Sequence, residues 1–209
     1  MKHAVREIDL YEQNQITFLL NREERSLAGA FHRAHGPSIS AMGWRFASAA
    51  GCARGGHAAW RARVHAPATS SRDGSVLPAI WGIGERRSTS STATRARRAG
   101  SSAASSRSSP VKVAEKGFLT IDHLTNNVEK GTMQKWASFY KDVFGFTEVR
   151  YFDIKGVKTG LVSYALRSPD GSFCIPINEG TDKKSQINEY LEEYKGPGSS
   201  TSRSSRATS

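Results

Sequence analysis

Between Gly117 and Gly198 the chain carries one unbroken pattern, and any fold has to accommodate it. Gly117–Thr125 reads as a strand, with Leu119, Ile121 and His123 on one face. Asn126 and Asn127 are placed to cap a helix over Glu129–Phe144. In that helix Met133, Trp136, Ala137, Tyr140 and Val143 or Phe144 recur at i, i+3, i+4, i+7 spacing, and Gly145 suits its end. Strands are predicted over Thr147–Ile154, Gly160–Arg167 and Ser172–Asn178, the last two separated by the turn Ser168-Pro-Asp-Gly171. A final helix over about Asp182–Tyr194 places Ile187, Tyr190, Leu191 and Tyr194 together. The order is β-α-β-β-β-α, an α+β arrangement.

Residues 1–47 hold a smaller patterned piece. Gln15–Leu20 is a strand candidate, Ser26–His35 a short helix stopped by Gly36-Pro37, and Ser38–Ala47 a second strand. Residues 48–109 differ: Ala, Arg, Ser and Gly dominate, Lys is absent, and no period is visible. One island, residues 77–84 (Leu-Pro-Ala-Ile-Trp-Gly-Ile-Gly), interrupts them. By composition the segment is a disordered low-complexity linker. Residues 199–209 are a disordered tail by the same criterion, so the boundaries fall at 1–47, 48–109, 110–198 and 199–209.

The net charge of +11 and isoelectric point near 10.0 suggest a nucleic-acid partner until the charge is located. Residues 47–109 carry +8 and residues 199–209 carry +2, whereas residues 110–198 are neutral. The patterned region is therefore a poor phosphate-binding surface, and the basic segments carry only two aromatic residues, Trp60 and Trp81. Cys52 and Cys174 give neither a disulfide framework nor a zinc spacing and read as free thiols of a reducing cytoplasm. No apolar run approaches the ~20 residues that span a bilayer, and the N-terminus lacks a signal-peptide core.

His123 is the residue with the most evident chemistry. A lone strand histidine is either hydrogen-bonded within a core or a metal ligand whose partners come from other strands; spacing does not decide between them. Ser163, Asn178 and Gln186 are uncharged polar candidates for lining a ligand pocket. Asp153, Glu179, Glu192 and Glu193 read as solvated charges, and no catalytic residue is assigned. Walker, GxGxxG, GxSxG and HExxH motifs are absent.

Four blocks carry a family resemblance: Gly117–Val128 (Gly-Phe-Leu-Thr-Ile-Asp-His-Leu-Thr-Asn-Asn-Val), Trp136–Phe146 (Trp-Ala-Ser-Phe-Tyr-Lys-Asp-Val-Phe-Gly-Phe), Pro176–Glu179 and Lys184–Ile187. Together they resemble the 4-hydroxyphenylpyruvate dioxygenase family, and residues 9–47 and 77–84 resemble the later part of its N-terminal domain. The resemblance implies βαβββ modules of vicinal-oxygen-chelate architecture, here incomplete. It implies Fe(II) held by two His and one Glu, and conversion of 4-hydroxyphenylpyruvate and O₂ to homogentisate and CO₂ in tyrosine and phenylalanine breakdown. By that resemblance His123 is the first iron ligand, Ser163, Asn178 and Gln186 line the substrate pocket, and the family is homo-oligomeric. A hydroxymandelate-forming relative, a non-enzymatic binding module of the same fold and a basic nucleic-acid-binding protein are the alternatives.

The chain departs from the family after Gly196-Pro197-Gly198, where the family continues with a sequence like Val-Gln-His that supplies the second ligand. Ser199–Arg206 stands there instead, and the later Glu ligand is not found, so the chain is expected to be inactive and poorly folded. The odd segments are expected to be shifted-frame translations of a GC-rich gene. Ser199–Arg206 can be coded TCC AGC ACA TCG CGC TCG TCG CGx; read one base earlier, this becomes Val-Gln-His-Ile-Ala-Leu-Val-Ala. Arg87–Thr94, shifted likewise, can yield Leu-Tyr-Phe-Val-Asp-Arg-Tyr, an ordinary strand.

Overall fold

The computed structural model describes residues 7–46, 69–70, 76–77, 79–85, 87–92, 113–155 and 160–206. Cys52, Gly156 and most of residues 48–109 lie outside the described residues. Strands β1 (Ile8–Gln13) and β2 (Ile16–Asn21) form an antiparallel hairpin. Helix α1 (Leu27–His35) follows; the Ser26 side chain accepts from Gly29 N at 3.1 Å, and Gly36 ends the helix at φ 72°. Strand β3 (Ala41–Phe46) comes next, then the two-residue strands β4 (Thr69–Ser70) and β5 (Val76–Leu77). Strand β6 (Ala79–Trp81), a 3₁₀ turn (Ile83–Glu85) and β7 (Arg87–Thr92) complete this half. β7 lies between β3 and β6 in a three-stranded sheet.

The second half follows the sequence pattern closely. Strand β8 (Phe118–Val128) leads to helix α2 (Met133–Phe144), then to β9 (Thr147–Lys155), β10 (Gly160–Arg167) and β11 (Cys174–Gly180). Helix α3 (Gln186–Tyr194) and β12 (Gly198–Arg206) close it. The sheet order is β12-β8-β11-β10-β9, with β8 and β11 parallel and the other pairs antiparallel. Gly145 ends α2 at φ 70°, as the sequence predicts.

Four expectations need correction. Asn126 and Asn127 do not cap α2: the parallel ladder with β11 carries β8 past them, and both side chains are buried. The Thr132 cap position makes no side-chain capping bond, and Glu179 supplies an acceptor from β11. Its Oε2 accepts from Met133 N at 3.0 Å, so Glu179 is a cap from across the fold rather than a solvated charge. Residues 199–206, expected as a disordered tail, form most of β12 along β8. Residues 87–92, within the expected linker, form the middle strand β7. Backbone N–H and C=O groups make both ladders and require no apolar side chain to do so.

The two halves share one core. Ile80 and Ile83, from the island, are 0% exposed and cluster with Val128, Met133, Ala137, Phe139, Tyr140 and Val143. The Trp44 ring lies 4.8 Å from that of Phe144, 5.7 Å from Phe173 and 5.8 Å from Phe146. Gly84, at φ 64°, approaches the Pro197 carbonyl so closely that a Cβ would collide with it. A second clasp joins α1 to α3. His35 Nδ1–H donates to the Tyr194 carbonyl at 2.7 Å while the two rings stack at 4.7 Å.

These contacts fix two outcomes. Ile83→Ala should lower the unfolding free energy by about 2–5 kcal/mol, as for truncation of a fully buried Ile, measured by urea titration of the whole chain. In the turn after β10, the Ser168 hydroxyl and then Ser172 hold the Asp170 carboxyl below its ordinary range. A depressed folded pKa gives stability that is full above the unfolded value and is lost as pH falls through the folded one. Asp170→Asn should therefore flatten the acid limb of the stability profile by no more than about 1 kcal/mol, read from Tm against pH.

Candidate functional site

The sheet has two faces with different chemistry. Leu124, Val128, Ile175, Ile177 and Leu166 are buried, and by strand alternation they belong to the face that meets the helices. His123, Thr125 and Asn127 lie on the other face of β8. In register, Ser163 of β10 pairs with Asn178 of β11, and Asn178 pairs with Asn127 of β8. Asn178 Nδ2 donates to Asn127 Oδ1 at 3.2 Å, and Ser163 and Asn127 are buried. The result is a row of uncharged polar groups across three strands, flanked by Leu161 and Phe152.

His123 stands four residues before Asn127 on the same strand, half-buried, with its side chain 26% exposed. Its Nδ1 lies 2.8 Å from Asp122 Oδ2. An ionised carboxylate only accepts, so Nδ1 carries the proton and Nε2 keeps its lone pair when the ring is neutral. This is the tautomer in which a histidine ligates a metal through Nε2. Beside His123 in the parallel ladder is Cys174, a free thiol, and across the antiparallel ladder is Arg203.

Of the sequence-predicted residues, Ser163 and Asn178 are brought together and His123 shares their face. Gln186 is the first residue of α3 and is exposed, outside the row. Sequence reasoning missed Thr125, Asn127 and Cys174 as neighbours of His123. Taking Asn126-Asn127 as a cap hid the fact that Asn127 continues the His123 face; counting by twos from His123 recovers it. A shallow pocket of about 290 Å³ lies elsewhere, lined by Pro37, Ser38, Ile39, Tyr190, Tyr194, Ser199 and Ser200, none of them a predicted site residue.

An iron centre of the expected kind needs three ligands on one face. His123 fits by position and tautomer. Among the described residues no three His, Cys, Asp or Glu side chains stand together to hold a metal, so the described residues do not make up the set. The strand beside His123 brings Ser, Thr and Arg to its register.

The fold and this face define a vicinal-oxygen-chelate protein. Residues 120–200 match the glyoxalase/bleomycin resistance protein/dioxygenase superfamily, and residues 1–89 match the N-terminal domain of hydroxyphenylpyruvate dioxygenase. Residues 120–200 are thus a domain of that superfamily, and the chain as a whole is similar to the 4-hydroxyphenylpyruvate dioxygenases. It is 51% identical over 199 residues to protein MelA of Shewanella colwelliana, covering 94% of this chain and 56% of that one. It is 40% identical over 205 residues to 4-hydroxyphenylpyruvate dioxygenase of Legionella pneumophila, covering 94% and 55%. A mutant 4-hydroxymandelate synthase of Streptomyces coelicolor shares the fold, with a TM-score of 0.72 at 18% identity over 92% of this chain and 57% of that one. The chain thus spans about half the length of the curated relatives it matches.

The polar row generates its own outcome. Asn178→Ala removes the donor to the buried Asn127 Oδ1 and should cost about 1–3 kcal/mol, with an unchanged denaturant slope in urea unfolding.

Proposed function

We propose that the gene behind this chain encodes a cytoplasmic, Fe(II)-dependent 4-hydroxyphenylpyruvate dioxygenase of tyrosine breakdown, and that the polypeptide as written is inactive. The observation that carries the first part is the face itself. His123, with Nε2 left as an electron-pair donor, shares one side of the sheet with the row Ser163, Asn178 and Asn127. Such a row suits a substrate with a polar 2-oxoacid end and a phenolic ring, since uncharged donors and acceptors orient it while Phe152 and Leu161 offer apolar contact. Bound iron would supply the chemistry of O₂ activation. His123 is the one ligand that these residues offer by resemblance.

Inactivity follows from β12 and its residues. Position 201 pairs with Thr125, two residues from His123 on the neighbouring strand, and carries Thr. In the one-base-earlier reading of Ser199–Arg206, the histidine of Val-Gln-His falls at this position. β7 supports the same reading. It is a middle strand that contains no apolar residue, Arg-Ser-Thr-Ser-Ser-Thr, and with one permitted choice of codons its shifted frame reads Leu-Tyr-Phe-Val. A strand flanked on both sides ordinarily carries β-branched and aromatic residues. Side-chain pattern and backbone place disagree at two separate strands, and the same kind of one-base shift repairs both.

The purified chain, given Fe(II), O₂ and 4-hydroxyphenylpyruvate, should release no homogentisate above the enzyme-free rate in a chromatographic assay. Turnover by the chain as written would overturn the inactivity. Coding DNA in which no one-base shift restores Val-Gln-His after Gly198 would remove the frame explanation and leave the dioxygenase kinship untouched.

A further inference from the structure

We infer that His35, at the end of α1, is a positioning residue for strand β12: through the turn that joins α3 to β12 it fixes the register in which β12 lies along β8. The side chains of β12 do not set that register. The strand reads Gly-Ser-Ser-Thr-Ser-Arg-Ser-Ser-Arg, with no apolar side chain to mark one face as inward. Register is weakly specified in strands of this kind, because a one-residue slip exposes nothing apolar. The ladder with β8 is irregular between Ser199 and Thr201, between Arg203 and Ser204 and between Ser205 and Arg206. What the side chains leave open, the entry to the strand supplies.

That entry is held along its length. Lys195 and Gly196 take φ values of 60° and 131° and turn the chain out of α3. Their N–H groups return to the Glu192 and Leu191 carbonyls at 3.3 and 2.9 Å. The Tyr194 carbonyl, at the end of the helix, has no acceptor role inside it. His35 Nδ1–H donates to it at 2.7 Å. The His35 ring is itself fixed, 4.4 Å from the buried Phe31 ring and stacked on Tyr194 at 4.7 Å. Further along, the Pro197 carbonyl packs on Gly84. The Ser199 carbonyl then accepts from the Tyr190 hydroxyl at 3.0 Å, and the Ser199 hydroxyl donates to Asn126 Oδ1 at 2.8 Å. Gly198 thereby enters opposite Asn127 and Ser199 opposite Asn126. His35 and Gly84 both come from the N-terminal half, so that half determines where the edge strand beside the polar row begins. Of the two, His35 is the directional contact. A hydrogen bond to a carbonyl orients the planar peptide that follows it, whereas the Gly84 contact only limits approach. The inference is independent of the proposed activity.

The test is amide hydrogen exchange by NMR on the whole chain, comparing wild type with His35→Phe and His35→Asn. Phenylalanine keeps a ring to stack on Tyr194 and removes the donor; asparagine keeps an N–H donor and removes the ring. Wild-type β12 amides should be protected, with backbone contacts joining Thr201 to Thr125 and Arg203 to His123. In His35→Phe the β12 amides should exchange about tenfold faster, the effect of losing one net hydrogen bond. The Thr201–Thr125 contact should weaken, while amides paired between β9 and β10 keep their wild-type rates. His35→Asn should retain the wild-type pattern in β12. His35→Ala against His35→Asn repeats the donor comparison without a ring, should the phenylalanine variant not fold. Faster exchange spread equally over β9, β10 and β12 would reduce His35 to a general stabiliser and overturn the inference. Unchanged β12 protection in both His35→Phe and His35→Ala, or a wild type lacking the Thr201–Thr125 contact, overturns it as well.

Discussion

Helix α2 is the element on which both halves depend, because its burial is what joins them. One side of it meets Val128, Ile175 and Ile177 of the sheet. Trp44, Ile80 and Ile83 join the same cluster from the N-terminal half. Removing Ile80 and Ile83 from water contributes roughly 1.5–3 kcal/mol each. The 77–84 island is patterned where its surroundings are not, and this packing is the reason. Residues that fill a core at 0% exposure, as Ile80 and Ile83 do, are constrained in volume and polarity. Gly84 adds a backbone constraint, since the chain passes the Pro197 carbonyl too closely for any side chain at that point.

The opposite side of the sheet is covered unevenly among the described residues: Thr125, Asn127 and Ser163 are buried, whereas its margins are not. Leu119 and Phe152 are 39% and 38% exposed, on a sheet whose other face is closed by helices. The hairpin β1–β2 likewise leaves Phe18, Leu19 and Leu20 exposed. In the N-terminal half, burial is thus concentrated in Trp44 and the island rather than in this hairpin.

How much was legible in the sequence depends on which force sets each element. The 3.6-residue period of α2, the Ser168–Gly171 turn and the Gly145 stop are local, and their residues declare them. Ser26 before α1 is local in the same sense. The extension of β8 through Asn126 and Asn127 is not, because it depends on β11 lying alongside in parallel. The cap on α2 is equally non-local: Glu179 stands 46 residues from the amide it accepts from. Strands β7 and β12 were illegible for a different reason. Their side chains carry no strand signal, and only the neighbouring ladders define them.

The candidate site repeats this division. His123 was visible as a residue, and Ser163 and Asn178 as inward polar positions, but their relation is a matter of register. Register places Asn127 in the row and Cys174 beside His123, and it leaves Gln186 outside at the start of α3. Asp122 is the instructive case. Read as part of an alternating strand, it belongs to the face away from the chemistry, and nothing in its spacing marks it. The observed 2.8 Å contact makes the two adjacent residues a single unit in which one determines which nitrogen the other offers. That unit is closed within β8, while β12 brings Arg203 into register with His123 and Thr201 into register with Thr125.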